Sequence, residues 1–281
     1  MTSTPGIPSV PSDASSRSYD PRAMSGGLPG ELERLEAQAQ IAWGEEARLL
    51  AEVGLRDGDR VLEIGCGSGA VLSRLHALVP CSGLIGIDAD EDLLAHARRR
   101  PELAGAELLA ADAYALPLAD GSVDFALARL VLQHLADPVA ALLEIVRVLR
   151  PGGAVAVLEV DGELWGVVEP RLPDLAAIQA KAWRSQASRG GDRFIARRLW
   201  RLLGQAGLVE VVVRPYAYHS DELGLEAFEP MLSPDTLAPR LADGTISPTE
   251  FATAVRGLRR FRETPGAFVM LVGLLVAGRA P

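Results

Sequence analysis

Val61-Leu62-Glu63-Ile64-Gly65-Cys66-Gly67-Ser68-Gly69 decides how the chain is read. An apolar run carrying one acid, Glu63, breaks into three glycines at alternate positions. A helical pattern follows, with Val71, Leu72, Leu75, Leu78 and Val79 on one side. Glycines let a backbone turn tightly and let a ligand approach main-chain atoms, and a helix start offers unsatisfied N–H groups. In an open α/β sheet, ligands bind at the carboxyl ends of strands near the point where strand order reverses. The stretch alone is ambiguous, because Gly65, Gly67 and Ala70 also satisfy the dinucleotide pattern G-x-G-x-x-A. Asp88, at the end of the next apolar run, suits ribose hydroxyls in either case.

Outward from this turn, short apolar runs alternate with helical patterns. Strands are expected at 60–64, 84–87, 107–110, 123–128 and 154–160. Helices are expected around Leu93, Leu94 and Ala97, and over 139–149. This rhythm implies parallel pairing with right-handed crossovers and helices on both faces. Past Val160 it breaks. Helices are expected at 173–188 and 192–206, a strand at 208–213, two or three short helices within 220–264, and a last strand at 268–277. The fold class is therefore α/β: a doubly wound, mostly parallel seven-stranded sheet with helical cap insertions at 162–190 and 220–265. Residues 1–30, rich in Ser, Pro and Gly, read as a flexible segment, although 19–27 has the makings of a cover over a ligand. Residues 31–281 form the domain, led by a lid helix over 31–45.

Four blocks occur in order between Arg60 and Val160. They are the turn above; Gly86-Ile87-Asp88; Ala111-Asp112-Ala113 with Leu116-Pro117-Leu118-Ala119-Asp120-Gly121-Ser122-Val123-Asp124; and Leu149-Arg150-Pro151-Gly152-Gly153. In these the chain resembles the class I S-adenosylmethionine-dependent methyltransferases, of Rossmann-like fold. The resemblance implies S-adenosyl-L-methionine as cofactor and S-adenosyl-L-homocysteine as product. It implies that Gly65, Cys66 and Gly67 hold the methionine moiety, with Glu63 orienting that end. Asp88, with Ala89 beside it, would accept from the ribose hydroxyls, Asp112 from the adenine amine, and the Ala113 N–H would donate to the ring. Arg129 and Leu130, where the fourth strand ends, would contribute backbone contacts. The Arg129 side chain is left open between an ion pair and a substrate contact. Gln38, on the lid helix, is the expected polar contact from that side. Asp120 and Asp124 read as turn and strand-entry residues.

Methyl transfer is an in-line displacement in which proximity supplies much of the rate, and a base is needed only where the nucleophile must lose a proton. His134, just after the fourth strand, and Glu159, ending the fifth, are the catalytic candidates, and His134 also counts among the cofactor-site residues. Asp161 lies near the same mouth, and Tyr216, Tyr218 and His219 stand where a cap would start. The chain lacks the Asn/Asp-Pro-Pro-aromatic block of members that methylate amino-nucleobases and glutamine; Arg129-Leu130-Val131-Leu132 stands there. Its flavour is that of the quinone-biosynthesis and natural-product enzymes. Trp43, Trp165, Trp183 and an apolar wall of Leu223, Leu225, Phe228, Met231 and Leu232 fit a small apolar acceptor. A cofactor-binding protein or pathway enzyme that does not methylate, and a protein or RNA methylase, remain alternatives.

Charge and composition narrow the partners. A net charge of −9 over 281 residues disfavours a nucleic acid partner, and the basic runs at 98–100, 197–201 and 256–262 read as solvated helix faces. Two cysteines, Cys66 and Cys81, make neither a disulfide framework nor a metal set, so no metal is expected. No secretory signal and no membrane span are legible. A cytoplasmic enzyme acting on a small molecule is the expectation, with a homo-oligomer left open.

Overall fold

The computed structural model describes residues 18–24, 26–164 and 166–281. Most of the segment expected to be flexible, and Trp165, lie outside the described residues. Eight strands form one sheet: β1 Arg60–Ile64, β2 Gly83–Asp88, β3 Glu107–Ala110, β4 Val123–Arg129, β5 Leu149–Val160, β6 Val167–Glu169, β7 Val209–His219 and β8 Phe268–Arg279. The order β3-β2-β1-β4-β5 is parallel throughout. β8 then runs antiparallel to β5. It carries the three-residue β6 on the same edge, in line with β5, and β7 on the other. The sheet is thus the expected seven rows, with β6 as an unexpected continuation of the fifth.

The helices are α1 Gly27–Val53, α2 Ala70–Leu78, α3 Glu91–Ala97, α4 Pro138–Val148, α5 Pro173–Ser188, α6 Leu199–Gln205, α7 Ser220–Leu223, α8 Glu229–Leu232, α9 Ala238–Ala242 and α10 Pro248–Glu263. Alternation along the strands divides the core. Val61, Phe125, Leu127, Ala156 and Leu158 face α1, α2 and the cap. Leu62, Ile64, Ala126, Val155 and Val157 face α4 and α6. This two-faced burial is why the central strands read as continuous apolar runs. None of the helices among the described residues is long and apolar enough to cross a membrane.

Several boundaries differ from the sequence expectation: β5 starts at Leu149, five residues before the expected 154, the helix expected over 192–206 is α-helical only from Leu199, and α1 and β7 are both longer than expected. α1 does not stop at residue 45. It continues to Val53 and ends on Gly54 with φ 121°. Gly44 falls inside it; a glycine there costs about 1 kcal/mol, too little to break a helix anchored by tertiary packing. The buried face Ala39, Ala42, Glu46, Leu49 and Leu50 supplies that packing. β7 also runs well past residue 213. Arg214 and Pro215 obscure its second half in the sequence, but β7 is an edge strand, where proline is tolerated.

Candidate functional site

The carboxyl ends of β1, β2 and β4 open into a cavity of about 1160 Å3, roofed by α1, α5, the cap and the segment 18–24. Its floor is the glycine turn. Gly65, Gly67 and Gly69 have φ of 68°, 52° and 76°, in the left-handed region that only glycine enters freely. Gly65 has a second constraint: a Cβ there would stand 2.4 Å from Val131 Cγ2. The Gly65 and Cys66 N–H groups both donate to Ile87 O, tying the turn to β2. Burial pushes the Cys66 thiol well above its ordinary pKa, so no thiolate is available there.

Asp88, at the tip of β2, clasps this turn. Its Oδ2 accepts from Gly67 N at 2.8 Å and its Oδ1 from Asp90 N at 2.8 Å. Burial raises its pKa, and the two N–H groups pull it back. Each carboxylate oxygen keeps a lone pair beyond the one it has used. Glu63 is 3% exposed, and its Oε2 is buried with no hydrogen-bond partner among the described residues. Desolvation lifts its pKa well above the usual carboxylate range, with only Arg129 opposing. Asp112 caps its own loop by accepting from Tyr114 N at 3.0 Å.

The Arg129 side chain, left open by the sequence, is an ion-pair partner. Its Nε donates to Glu46 Oε2 at 2.8 Å and its Nη2 to Gln38 O at 3.0 Å. Tyr216 OH donates to the other Glu46 oxygen at 2.9 Å. β4, α1 and β7 are therefore joined by one buried polar knot. Leu130, next along, has φ 58°, a strained value for leucine. Its N–H is held by Leu158 O at 2.8 Å. The reversal sends Val131 over Gly65 and starts the short turn Leu132–His134.

His134 lines the cavity. Its Nδ1 lies 3.1 Å from Ser18 Oγ, and the Tyr19 ring packs on it at 5.2 Å between centroids. Burial, then the Arg193 and Arg34 charges, push its pKa down to about 3, so the imidazole is neutral. Arg34 also lines the cavity and is held by Glu31, whose Oε1 accepts from Tyr19 OH at 2.6 Å as well. Arg22 anchors the segment's far end on Asp90 and Asp92.

One cavity thus gathers Gln38, Glu63, Gly65, Cys66, Gly67, Asp88, Ala89, Asp112, Ala113, Arg129, Leu130 and His134. Glu159 is not among its lining residues. It is fully buried beneath the 131–134 turn, accepting from Gln133 N at 3.2 Å, and burial pushes its pKa up to about 8. It supports the loop rather than facing a reactant. Asp161, also buried, is taken by Arg197. Of the expected apolar wall only Met231 reaches the cavity. Phe228 is completely buried against the Tyr218 ring, and Leu223 points to solvent. Trp183 lines the cavity, while Trp43 is half-buried and packs against the outside of the core. Tyr216 and Tyr218 are core residues behind it.

Sequence reasoning missed Arg34, Gln133, Gln186 and Arg193. Gln133 is the hub: its carbonyl accepts from Gln186 Nε2 at 3.0 Å and Asp192 N at 2.7 Å, and its amide oxygen accepts from Arg193. A glutamine inside an apolar run, Val131-Leu132-Gln133, was the only available signal.

Residues 62–157 match the family described as Methyltransferase domain. Over 201 residues the chain is 37% identical to an uncharacterized 37.1 kDa protein in transposon TN4556 of Streptomyces fradiae, covering 69% of this chain and 56% of that protein. Over 102 residues it is 39% identical to a demethylmenaquinone methyltransferase of Thermus thermophilus, covering 36% of this chain and 46% of that one. The chain spans about half the length of the curated relatives it matches. A solved S-adenosylmethionine-dependent methyltransferase from Thermotoga maritima shares the fold, with a TM-score of 0.55 at 23% identity over 90% of this chain and 96% of that one.

Proposed function

Because the chain belongs to the class I S-adenosylmethionine-dependent methyltransferases, we propose that it transfers the cofactor's methyl group to a small, largely apolar metabolite of quinone or natural-product type. One observation carries the reading: an unpartnered buried carboxylate oxygen of Glu63 and a half-used Asp88 carboxylate stand on the walls of a single cavity.

These residues fit the cofactor. Glu63 Oε2 lacks a cationic or N–H partner, which an ammonium group satisfies. Asp88 has two free lone pairs for two ribose hydroxyls. Gly67 leaves open space where a side chain would stand, its nearest neighbours being 3.8 Å or more away. Asp112 and the Ala113 N–H would hold the adenine, and Gln38 would cover the site from α1. The cofactor supplies an activated methyl group on sulfur. The remaining work falls to the chain: to align the acceptor, keep water out and hold the acceptor's reacting hydrogen.

The cavity exceeds the roughly 300–1,000 Å3 of ordinary ligand sites, which leaves room for a second molecule beside the cofactor. Ile178, Trp183, Met231 and Leu237 give that part apolar walls, with Gln179 and Arg189 as polar points. In this reading 62–157 holds the cofactor, while the segment 18–24, α5 and the cap select the acceptor. His134 acts as a neutral hydrogen-bond acceptor rather than a strong base, since its pKa is too low to keep a proton. Cytoplasmic location is part of the proposal.

Calorimetry with S-adenosylmethionine and S-adenosylhomocysteine tests the cofactor half. A panel of quinols and phenolic metabolites, read by S-adenosylhomocysteine release, tests the acceptor half. Binding of neither cofactor form would end the proposal, and binding without release across the panel would end its acceptor part.

A further inference from the structure

Ser18 Oγ lies 3.1 Å from His134 Nδ1 and 3.1 Å from His134 O. A hydroxyl has one proton. If it pointed at Nδ1, the hydroxyl and carbonyl oxygens would face each other across 3.1 Å with no hydrogen between them. Both contacts are satisfied only one way: the hydroxyl donates to His134 O, and the Nδ1–H donates to Oγ. The other polar neighbour of Nδ1, Gln186 Nε2, has a second proton, but it lies farther off at 3.5 Å and makes its shorter bond to Gln133 O at 3.0 Å, so the Ser18 contact is the stronger determinant. The tautomer of a histidine is assigned from such a network, and here the network leaves Nε2 with a lone pair for the cavity that His134 lines.

We propose that Ser18 is a positioning residue: it fixes His134 in the Nδ1–H tautomer, so that Nε2 presents a hydrogen-bond acceptor to the hydrogen on the acceptor molecule's reacting atom. The proposal rests on the methyltransferase reading above. Burial keeps the ring neutral, so the lone pair is present across the neutral pH range. The Tyr19 ring and the Glu31 anchor of its hydroxyl hold the same segment in place. A residue outside the matched family region thereby sets the chemistry of one inside it.

The test uses the full chain with 15N-labelled histidine near neutral pH. The four histidines give few signals, and His134→Gln identifies the one of interest. In the wild type, Nδ1 should show the shift of a protonated nitrogen and Nε2 that of an unprotonated one. Ser18→Ala should lower the Nδ1–H to Nε2–H ratio by roughly three- to tenfold, the worth of one hydrogen bond, and Ser18→Thr should restore it. An Nε2–H pattern in the wild type, or an unchanged ratio in Ser18→Ala, overturns the proposal. Calorimetry with S-adenosylhomocysteine on the same samples separates the two failures: no binding by the wild type sinks the methyltransferase reading, whatever the imidazole spectrum shows.

Discussion

The floor of the cavity and its roof are built on different principles. The floor uses main chain: three left-handed glycines, N–H groups aimed at Ile87 O and Asp88, and strand ends fixed by parallel pairing. The roof uses side chains drawn from far along the sequence: Ser18, Arg34, Trp183 and Met231. A backbone-built site tolerates few sequences, because particular φ values and close approaches must be met. A side-chain-built site needs only an ordered framework, so its chemistry is free to vary. The family match, residues 62–157, takes in the glycine turn and Asp88 and leaves out all four of these roof residues.

The joint between floor and roof is the Arg129–Glu46 pair, and breaking it should have the largest effect. Arg129→Met leaves Glu46 buried and uncompensated, and should cost about 3–5 kcal/mol of stability in thermal or denaturant unfolding. The double variant with Glu46→Gln should recover a good part of that. An unchanged melting curve in Arg129→Met would show that the two halves are held together elsewhere.

A pH scan probes the support under His134. The folded pKa of Glu159, about 8, lies above its ordinary 4.5. Between those values the folded state binds the extra proton, so the contribution of Glu159 to stability is fully present below 4.5 and is lost as pH rises toward 8. Glu159→Gln should flatten that fall by on the order of 5 kcal/mol across the window. Equal slopes in both proteins would place the titration elsewhere.

On the floor, Asp88→Ala should weaken S-adenosylhomocysteine binding by roughly 1–3 kcal/mol, the loss of charge-assisted hydrogen bonds. On the roof, Met231→Ala should raise the acceptor KM while moving cofactor affinity by less than about 0.5 kcal/mol. Should Met231→Ala weaken the cofactor as much as Asp88→Ala does, floor and roof are not separate in function.

The same contrast explains what the sequence made legible. β1, β2, β4 and the second half of β5 are runs buried on both faces and bounded by turns, so they stand out plainly, and β3, the part-exposed edge strand, is placed by its spacing between them. The four blocks between Arg60 and Val160 draw the floor residues together because local geometry alone places them. β6 has only three residues and carries no period. Phe228 departs from the expected wall because an apolar residue in a cap has two faces to choose from, and packing on Tyr218 decides which. Glu159 looked reactive by position at a strand end, yet the 131–134 turn folds over it. Gln133 organises four segments through its main chain and amide, contacts that no spacing rule encodes.

α1 rises about 1.5 Å per residue, so its 27 residues make a rod that reaches from the cavity mouth to the far end of the sheet. Arg129 grips that rod twice, through the Glu46 side chain and the Gln38 carbonyl, and Tyr216 braces it from behind. A roof so held does not wait for a ligand to give it shape. The entropy of ordering it is lost during folding, so an arriving molecule meets a chamber whose dimensions are already set, and more of its contact energy remains as affinity.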